Sequence, residues 1–219
     1  MTNIENYIST DYQAIDIEDK IAVVREFFHE LTFSHFPVIE EGVYIGCIAL
    51  DDIETFEADK KVQDYRYALE GIFARPDMVW LDVLEVFAKN HTNVVPVLTK
   101  SNQYIGYYEL EDIIKYFHET PFLQEPGSII VVKKNIAEYS MGQITQIVES
   151  NNGKILGLFI SETDLDTVQV TIKITTGAIN EILQSFRRYN YEITSEHNED
   201  EYIIILKERS DYLDKYLNM

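Results

Sequence analysis

The stretch His35-Phe36-Pro37-Val38-Ile39-Glu40-Glu41-Gly42-Val43-Tyr44-Ile45-Gly46 is followed by Asp52-Ile53, with the aspartate six residues after Gly46. The same order returns as Val94-Val95-Pro96-Val97-Leu98-Thr99-Lys100-Ser101-Asn102-Gln103-Tyr104-Ile105-Gly106, again with Asp112-Ile113 six residues after the glycine. The offset is 59 at the prolines (37 to 96) and 60 at the glycines (46 to 106), one residue being added in the turn. A repeat of this length is one supersecondary unit present twice.

Each copy reads as helix, strand, turn, strand, helix. Upstream of the first, Asp16 is placed to cap a helix with Asp19 in its first turn, and Ile21, Val24, Phe28 and Leu31 follow at helical spacing. Phe36–Glu40 and Tyr44–Ala49 are apolar runs around Glu41-Gly42, a hairpin pattern, and Asp51 to Phe56 starts the next helix. In the second copy the expected helix is Met78 to Lys89, with Leu81, Leu84 and Ala88 on one face. Val95–Leu98 and Tyr104–Glu109 are the expected strands, with Leu110–Phe117 as the closing helix.

The repeat ends at Pro121-Phe122-Leu123-Gln124-Glu125-Pro126-Gly127, whose two prolines and glycine read as a helix-free linker. Charge shifts there too: residues 1–125 hold 24 acids and 9 bases, a net −15, against 14 and 9 (−5) afterwards. The expected domains are therefore 1–125, with repeats at about 5–58 and 66–120, and 126–219. In the latter, Ile129–Val132 is a strand, and Met141, Ile144, Ile147 and Val148 form a helical stripe ending at Asn152-Gly153, a left-handed C-cap. Ile155–Ile160 and Val168–Ile174 flank the turn Ser161–Asp166, and Ile179, Ile182, Leu183 and Phe186 mark a second helix. Tyr191–Thr194 and Tyr202–Leu206 are expected strands and Asp211–Leu217 a tail helix. The fold class is mixed α/β (α+β), βαββα repeats followed by a βαββαβ, ferredoxin-like domain.

The 219 residues carry 18 bases and 38 acids, a formal charge of −20, which excludes nucleic acid and anionic membrane as main partners because both require a positive field. Cys47 is the only cysteine, so no internal disulfide and no multi-cysteine metal site can form. Met1 to Lys20 has neither a basic start nor an apolar run, and no apolar stretch approaches the roughly 20 residues of a membrane span. The expected location is the cytoplasm.

The repeated pattern of Pro-Val, tight turn, glycine, then aspartate before a helix resembles the cystathionine β-synthase (CBS) domain, which occurs in pairs packed about a pseudo-twofold axis. The third segment resembles an ACT domain through Gly142-Gln143-Ile144-Thr145-Gln146-Ile147 and Gly153-Lys154-Ile155. A CBS pair followed by an ACT-like domain looks like the small acetoin-utilisation regulators. The resemblance implies a non-enzymatic regulatory protein that senses a small molecule as a homodimer and acts on an unidentified protein target. The alternative is an interaction scaffold with degenerate, ligand-free clefts. The implied ligand class is an adenine nucleotide or S-adenosylmethionine, with or without Mg2+.

In that family the clefts lie between the paired motifs, so the resemblance implies ligand contacts from His35, Val38, Gly46, Ala49 and Asp52 in the first and Val97, Gly106, Glu109 and Asp112 in the second. An aspartate accepts two hydrogen bonds from a ribose diol, yet Asp52 and Asp112 would equally serve as helix N-terminal charges. The family's Ser or Thr, three residues after the glycine, is Ala49 here in one copy and Glu109 in the other. Glu109 opposes phosphate unless a cation intervenes, and reads as a cation ligand or a solvated strand-end acid. His35 reads as a base-stacking ring or a packed histidine, Cys47 as a small buried hydrophobe. Tyr107-Tyr108 are expected to divide between core and cleft wall. The histidines lack metal-ligand spacing, and no nucleophile, Walker or dinucleotide motif occurs. In the ACT-like segment Glu138, Met141 and Gly142 are the implied ligand loop, with helix amides for a carboxylate and Glu138 for an ammonium, or else a structural part of a dimer. Phe27, Phe28, Tyr65, Tyr67 and Phe73 are too crowded for all to point inward, which also suggests a dimer.

Overall fold

A computed structural model describes residues 4–175, 177, 179–197, 206–207 and 209–210. The chain forms two compact units that meet between Phe117 and His118.

The first unit is built on the two hairpins. β1 (Ile15–Asp16), α1 (Ile21–Glu30), β2 (His35–Glu40), β3 (Val43–Ala49) and α2 (Leu50–Thr55) make one repeat. α3 (Trp80–Asn90), β4 (Val94–Leu98), β5 (Tyr104–Glu109) and α4 (Leu110–His118) make the other. β2 pairs antiparallel with β3, and β4 with β5, and each hairpin slips register at its glycine: Val38 opposes Gly46, and Val97 opposes Gly106.

The extended lead-in of each repeat explains those glycines. Ser9 exchanges backbone hydrogen bonds with Tyr107 at 2.8 and 3.0 Å, after which Ile15 joins β2 in parallel at Val38. Equivalently, Glu70 exchanges bonds with Cys47 at 2.8 and 2.7 Å, and Ala74 then joins β4 in parallel at Val97. Each lead-in thus starts on the other repeat's second strand and ends on its own repeat's first. A Cβ on Gly106 would stand 2.5 Å from the Ser9 carbonyl oxygen, and one on Gly46 would stand 2.8 Å from Leu69 Cβ. The glycines leave room for that crossing.

The two cores interlock for the same reason. Tyr107 and Val94 pack with Ile21, Val24, Phe28, Phe36 and Ile53 of the first repeat, while Cys47 packs with Val83, Phe87, Val95 and Ile113 of the second. Neither Tyr107 nor Tyr108 forms a cleft wall: both are fully buried, alternation along β5 sending them into opposite cores. Cys47 is buried as expected, and burial pushes its thiol up to about 12 although Tyr44 hydrogen-bonds it.

Other expectations need correction. α1 is preceded by Lys20, not by Asp16, which lies in β1; Asp16 and Asp19 instead close a turn, the Asp16 amide donating to Asp19 Oδ2 at 2.9 Å. α3 buries Val83 and Phe87, leaving Leu81 and Ala88 exposed, because the helix begins at Trp80 and presents the neighbouring stripe to the sheet. Phe27 also finds room inside, 4.7 Å from the Phe36 ring, and Tyr65 stacks on Phe56 at 3.8 Å, whereas Tyr67 and Phe73 stay exposed.

In the second unit a one-turn helix, α5 (Pro121–Gln124), occupies the expected linker. Pro121 sits at the helix start, where its missing N–H is not needed. β6 (Gly127–Asn135), α6 (Met141–Ser150), β7 (Ile155–Thr163), β8 (Thr167–Thr175), α7 (Ile179–Arg188) and β9 (Glu192–Ile193) follow in the βαββαβ order, and the sheet runs β7-β8-β6-β9 with every pair antiparallel. Asn152 takes the left-handed conformation after α6, at φ 61°. Alternate residues Ile130, Val132, Val170, Ile172 and Ile174 pack under α6 and α7. The expected Tyr202–Leu206 strand, apart from Leu206, and the tail helix Asp211–Leu217 lie outside the described residues; Leu206 itself is helical. Among the described residues no helix is long and apolar enough to cross a membrane.

Candidate functional site: two unequal strand–helix junctions

The strand–helix junctions of the two repeats carry most of the implied ligand residues. At the first, His35 opposes Ala49 across the hairpin, and Asp52 lies in the first turn of α2. At the second, Val94 opposes Glu109, and Asp112 lies in the first turn of α4. Both aspartates therefore sit where a helix dipole favours an acid, beside Asp51 and Glu111. Val38, Val97, Gly46 and Gly106 lie within the sheets and beneath the lead-ins, away from the junction surface.

The junctions differ in three respects. Ala49 is small and apolar where Glu109 is acidic. Cys47 holds the position taken by Tyr107. Among the described residues no side-chain contact engages the Asp52 carboxylate, whereas Asp112 Oδ1 accepts from Lys115 Nζ at 2.9 Å. His35 is held by its neighbours, Nδ1 lying 3.0 Å from Ser34 Oγ and Nε2 3.8 Å from a Glu70 carboxylate oxygen. The first junction thus offers a free carboxylate and an oriented imidazole. The second is acidic, and its aspartate is already paired.

Burial, then the neighbouring Asp112, Glu111 and Asp11, hold the Glu109 carboxyl above the usual carboxylate range against the opposing pull of Lys115. A carboxyl raised in the folded state costs stability when ionised, and the cost disappears as pH falls through its folded value. Glu109→Gln should therefore raise the melting temperature at pH 7 and gain nothing below about pH 4, where a carboxyl is protonated in both states. Thermal scans across that range check this; a glutamine variant less stable at pH 7 would contradict it.

Sequence reasoning missed the contacts between the repeats. The Ser34 amide donates to Asn93 Oδ1 at 2.8 Å, and the Asn93 amide donates to Ser34 Oγ at 3.1 Å. The amides of Leu50 and Leu110 in turn donate to the Ser34 and Asn93 carbonyls. Ser34 and Asn93 stand one residue before His35 and Val94, so carrying the repeat alignment one position upstream would have paired them. Glu70 and Lys115 carried no comparable signal.

In the second unit the implied ligand loop is largely self-satisfied. Ser140 caps α6, accepting from the Gln143 amide at 3.3 Å, and Tyr191 donates to the Ser140 carbonyl. Glu138 and Gly142 are exposed, while Met141 packs against the core. No group of three or more His, Cys, Asp or Glu side chains able to hold a metal occurs among the described residues.

An uncharacterised protein of Methanocaldococcus jannaschii is 21% identical over 134 residues, 61% of this chain and 51% of its own length, so the chain spans about half of that relative. A CBS domain pair/ACT domain protein of Thermotoga maritima has a TM-score of 0.49 at 13% identity, covering 54% of this chain and 98% of its own. The CBS domains of a transcriptional regulator from Streptococcus pneumoniae have a TM-score of 0.47 at 14% identity, covering 52% and 98%. The model of the CBS domain family matches residues 4–58 and 70–119. Two repeats that pair through exchanged lead-ins and interlocked cores, each matching that family, make the first half of this chain a tandem pair of CBS domains.

Proposed function

We propose that this chain is a non-enzymatic, cytoplasmic regulatory protein whose CBS pair takes a small adenosyl-type ligand at the first junction, beside an ACT-like second unit, and works as a homodimer. The observation that carries this reading is the unengaged Asp52 carboxylate in the first turn of α2, which starts at the junction where Ala49 opposes His35, a ring held by Ser34 and Glu70. A carboxylate accepting both hydroxyls of a ribose, with an imidazole edge nearby, suits a nucleoside. Asp51, Asp52 and Glu70 make the surroundings acidic, so a neutral or cationic nucleoside is favoured over a metal-free polyphosphate.

Thermal shift and calorimetry with adenosine, S-adenosylmethionine, AMP and ATP with and without Mg2+ test this. Adenosine or S-adenosylmethionine should stabilise the wild type. Asp52→Asn should weaken binding by about 1–3 kcal/mol, at least tenfold at the middle of that range, because a charged acceptor is lost. Asp112→Asn should leave it unchanged. Micromolar binding of metal-free ATP, or equal losses in both variants, would refute the assignment. The acidic Glu109 side chain and the Asp112–Lys115 pair favour a second reading for that junction, a ligand-free scaffold surface. No stabilisation by any of these compounds would extend that reading to both.

A further inference from the structure

We infer that a cavity of about 460 Å³ in the second unit, where the end of α6 meets the last turn of α7, binds a small carboxylate that also carries hydroxyl groups, in the manner of a sugar acid. Ser150, Asn151, Ser185, Arg188 and Tyr189 line it, so every wall belongs to the second unit and its ligand is independent of the nucleoside proposed above. The volume is that of a small-molecule site.

One buried hydroxyl organises the cavity. Of the five buried residues of α7, Ser185 alone is polar, and it is 3% exposed. Its Oγ accepts from Arg188 Nη2 at 2.7 Å and from Asn151 Nδ2 at 3.1 Å. Asn151 Nδ2 also donates to the Ile147 carbonyl at 2.7 Å. The carboxamide nitrogen is thus committed to the protein, while Asn151 Oδ1 receives no donor among the described residues. Ser150 Oγ donates to the same carbonyl at 3.3 Å and keeps its lone pairs for an incoming hydroxyl. Arg188 makes its one hydrogen bond to Ser185 and has no carboxylate partner among the described residues, so most of the guanidinium's five N–H donors remain available.

The chemistry of the ligand follows from this set. A guanidinium held at one corner and open along the rest matches a carboxylate through two parallel hydrogen bonds. Asn151 Oδ1 and Ser150 Oγ call for donors, which hydroxyls beside the carboxylate supply. An ammonium would find no counter-charge, because no acidic side chain lines the cavity, whereas one carboxylate balances the one arginine. The Tyr189 ring, 48% exposed, gives the carbon chain of such a ligand an apolar wall.

D-Gluconate is the probe, titrated into the full chain and followed by amide chemical shifts and calorimetry. Saturable shifts should appear at residues 150–152 and 185–190. Hexanoate, which lacks the hydroxyls, and glucose, which lacks the carboxylate, should each bind about tenfold more weakly. Arg188→Gln, at an exposed position, should leave the melting temperature unchanged and weaken gluconate about tenfold, because a charge-assisted pair is lost. Ser185→Ala releases Arg188 to other rotamers and should weaken gluconate about threefold. Arg187→Gln removes the same charge from a neighbouring position outside the cavity and should stay within about twofold of the wild type. No saturable shift in these segments, equal binding of hexanoate or glucose, or equal losses in Arg187→Gln and Arg188→Gln would overturn the site.

Discussion

Gly106→Ala should destabilise the first unit by about 3–5 kcal/mol, more than any other single exchange to alanine among its glycines. The backbone at Gly106 has φ 143°, a region that L-residues rarely enter and that costs roughly 1–3 kcal/mol to occupy. The added methyl would also stand 2.5 Å from both the Ser9 carbonyl oxygen and Ile8 Cγ2. The first of these is backbone, so no rotamer change relieves it. Separating the lead-in from β5 would then break the paired bonds between Ser9 and Tyr107, each contributing about 0.5–1.5 kcal/mol. Gly46→Ala should cost less, because its closest contacts are Leu69 Cβ at 2.8 Å and the Glu70 carbonyl at 3.2 Å. Gly42→Ala should cost only about 1 kcal/mol, since its φ is 79° but nothing lies within 4 Å. Urea unfolding of the three variants gives the order directly. A Gly106→Ala midpoint no lower than that of Gly42→Ala would mean that the lead-in does not hold this hairpin.

That ordering shows what the sequence discloses and what it conceals. The hairpins were legible because each is a local object: Glu41-Gly42 and Asn102 supply the positive φ of the turns, and short apolar runs flank them. The second unit was legible for a similar reason, its helices marked by stripes such as Ile179, Ile182, Leu183 and Phe186. The lead-ins were not. Ser9–Tyr107 and Glu70–Cys47 are two-residue pairings across large sequence separations, and neither segment has periodicity of its own. The glycines were consequently read as ligand approaches, whereas they face another stretch of backbone. Asp16 looked like a cap because nothing local reveals that Ile15 and Ile17 are drawn onto the first sheet. Of the site, the Ala49–Glu109 contrast was visible by aligning the repeats. The burial of Tyr107 against the other repeat's core was not, since it depends on the interlock.

The contact between the repeats gives the second large expected effect. Asn93→Ala should cost about 2–3 kcal/mol and Ser34→Ala about 1 kcal/mol, and the double variant should cost less than their sum. Asn93 serves two partners: Oδ1 accepts from the Ser34 amide at 2.8 Å, and Nδ2 donates to the Thr32 carbonyl at 2.7 Å. Truncation strands the Ser34 amide in a partly buried place, at about 1–3 kcal/mol, and leaves the exposed Thr32 carbonyl to water at a smaller cost. Ser34 Oγ accepts from the Asn93 amide at 3.1 Å and also meets the Asn93 carboxamide and the His35 ring, but at a position where water can substitute. Because the two side chains share these bonds, the second truncation removes less than it would alone, and a coupling of about 1 kcal/mol is expected. A double-mutant cycle by chemical denaturation measures it. Strict additivity would show that each side chain merely caps its own strand. The repeats would then be joined by lead-ins and core packing alone, and His35 would lose its hydrogen-bonded route to the start of α4.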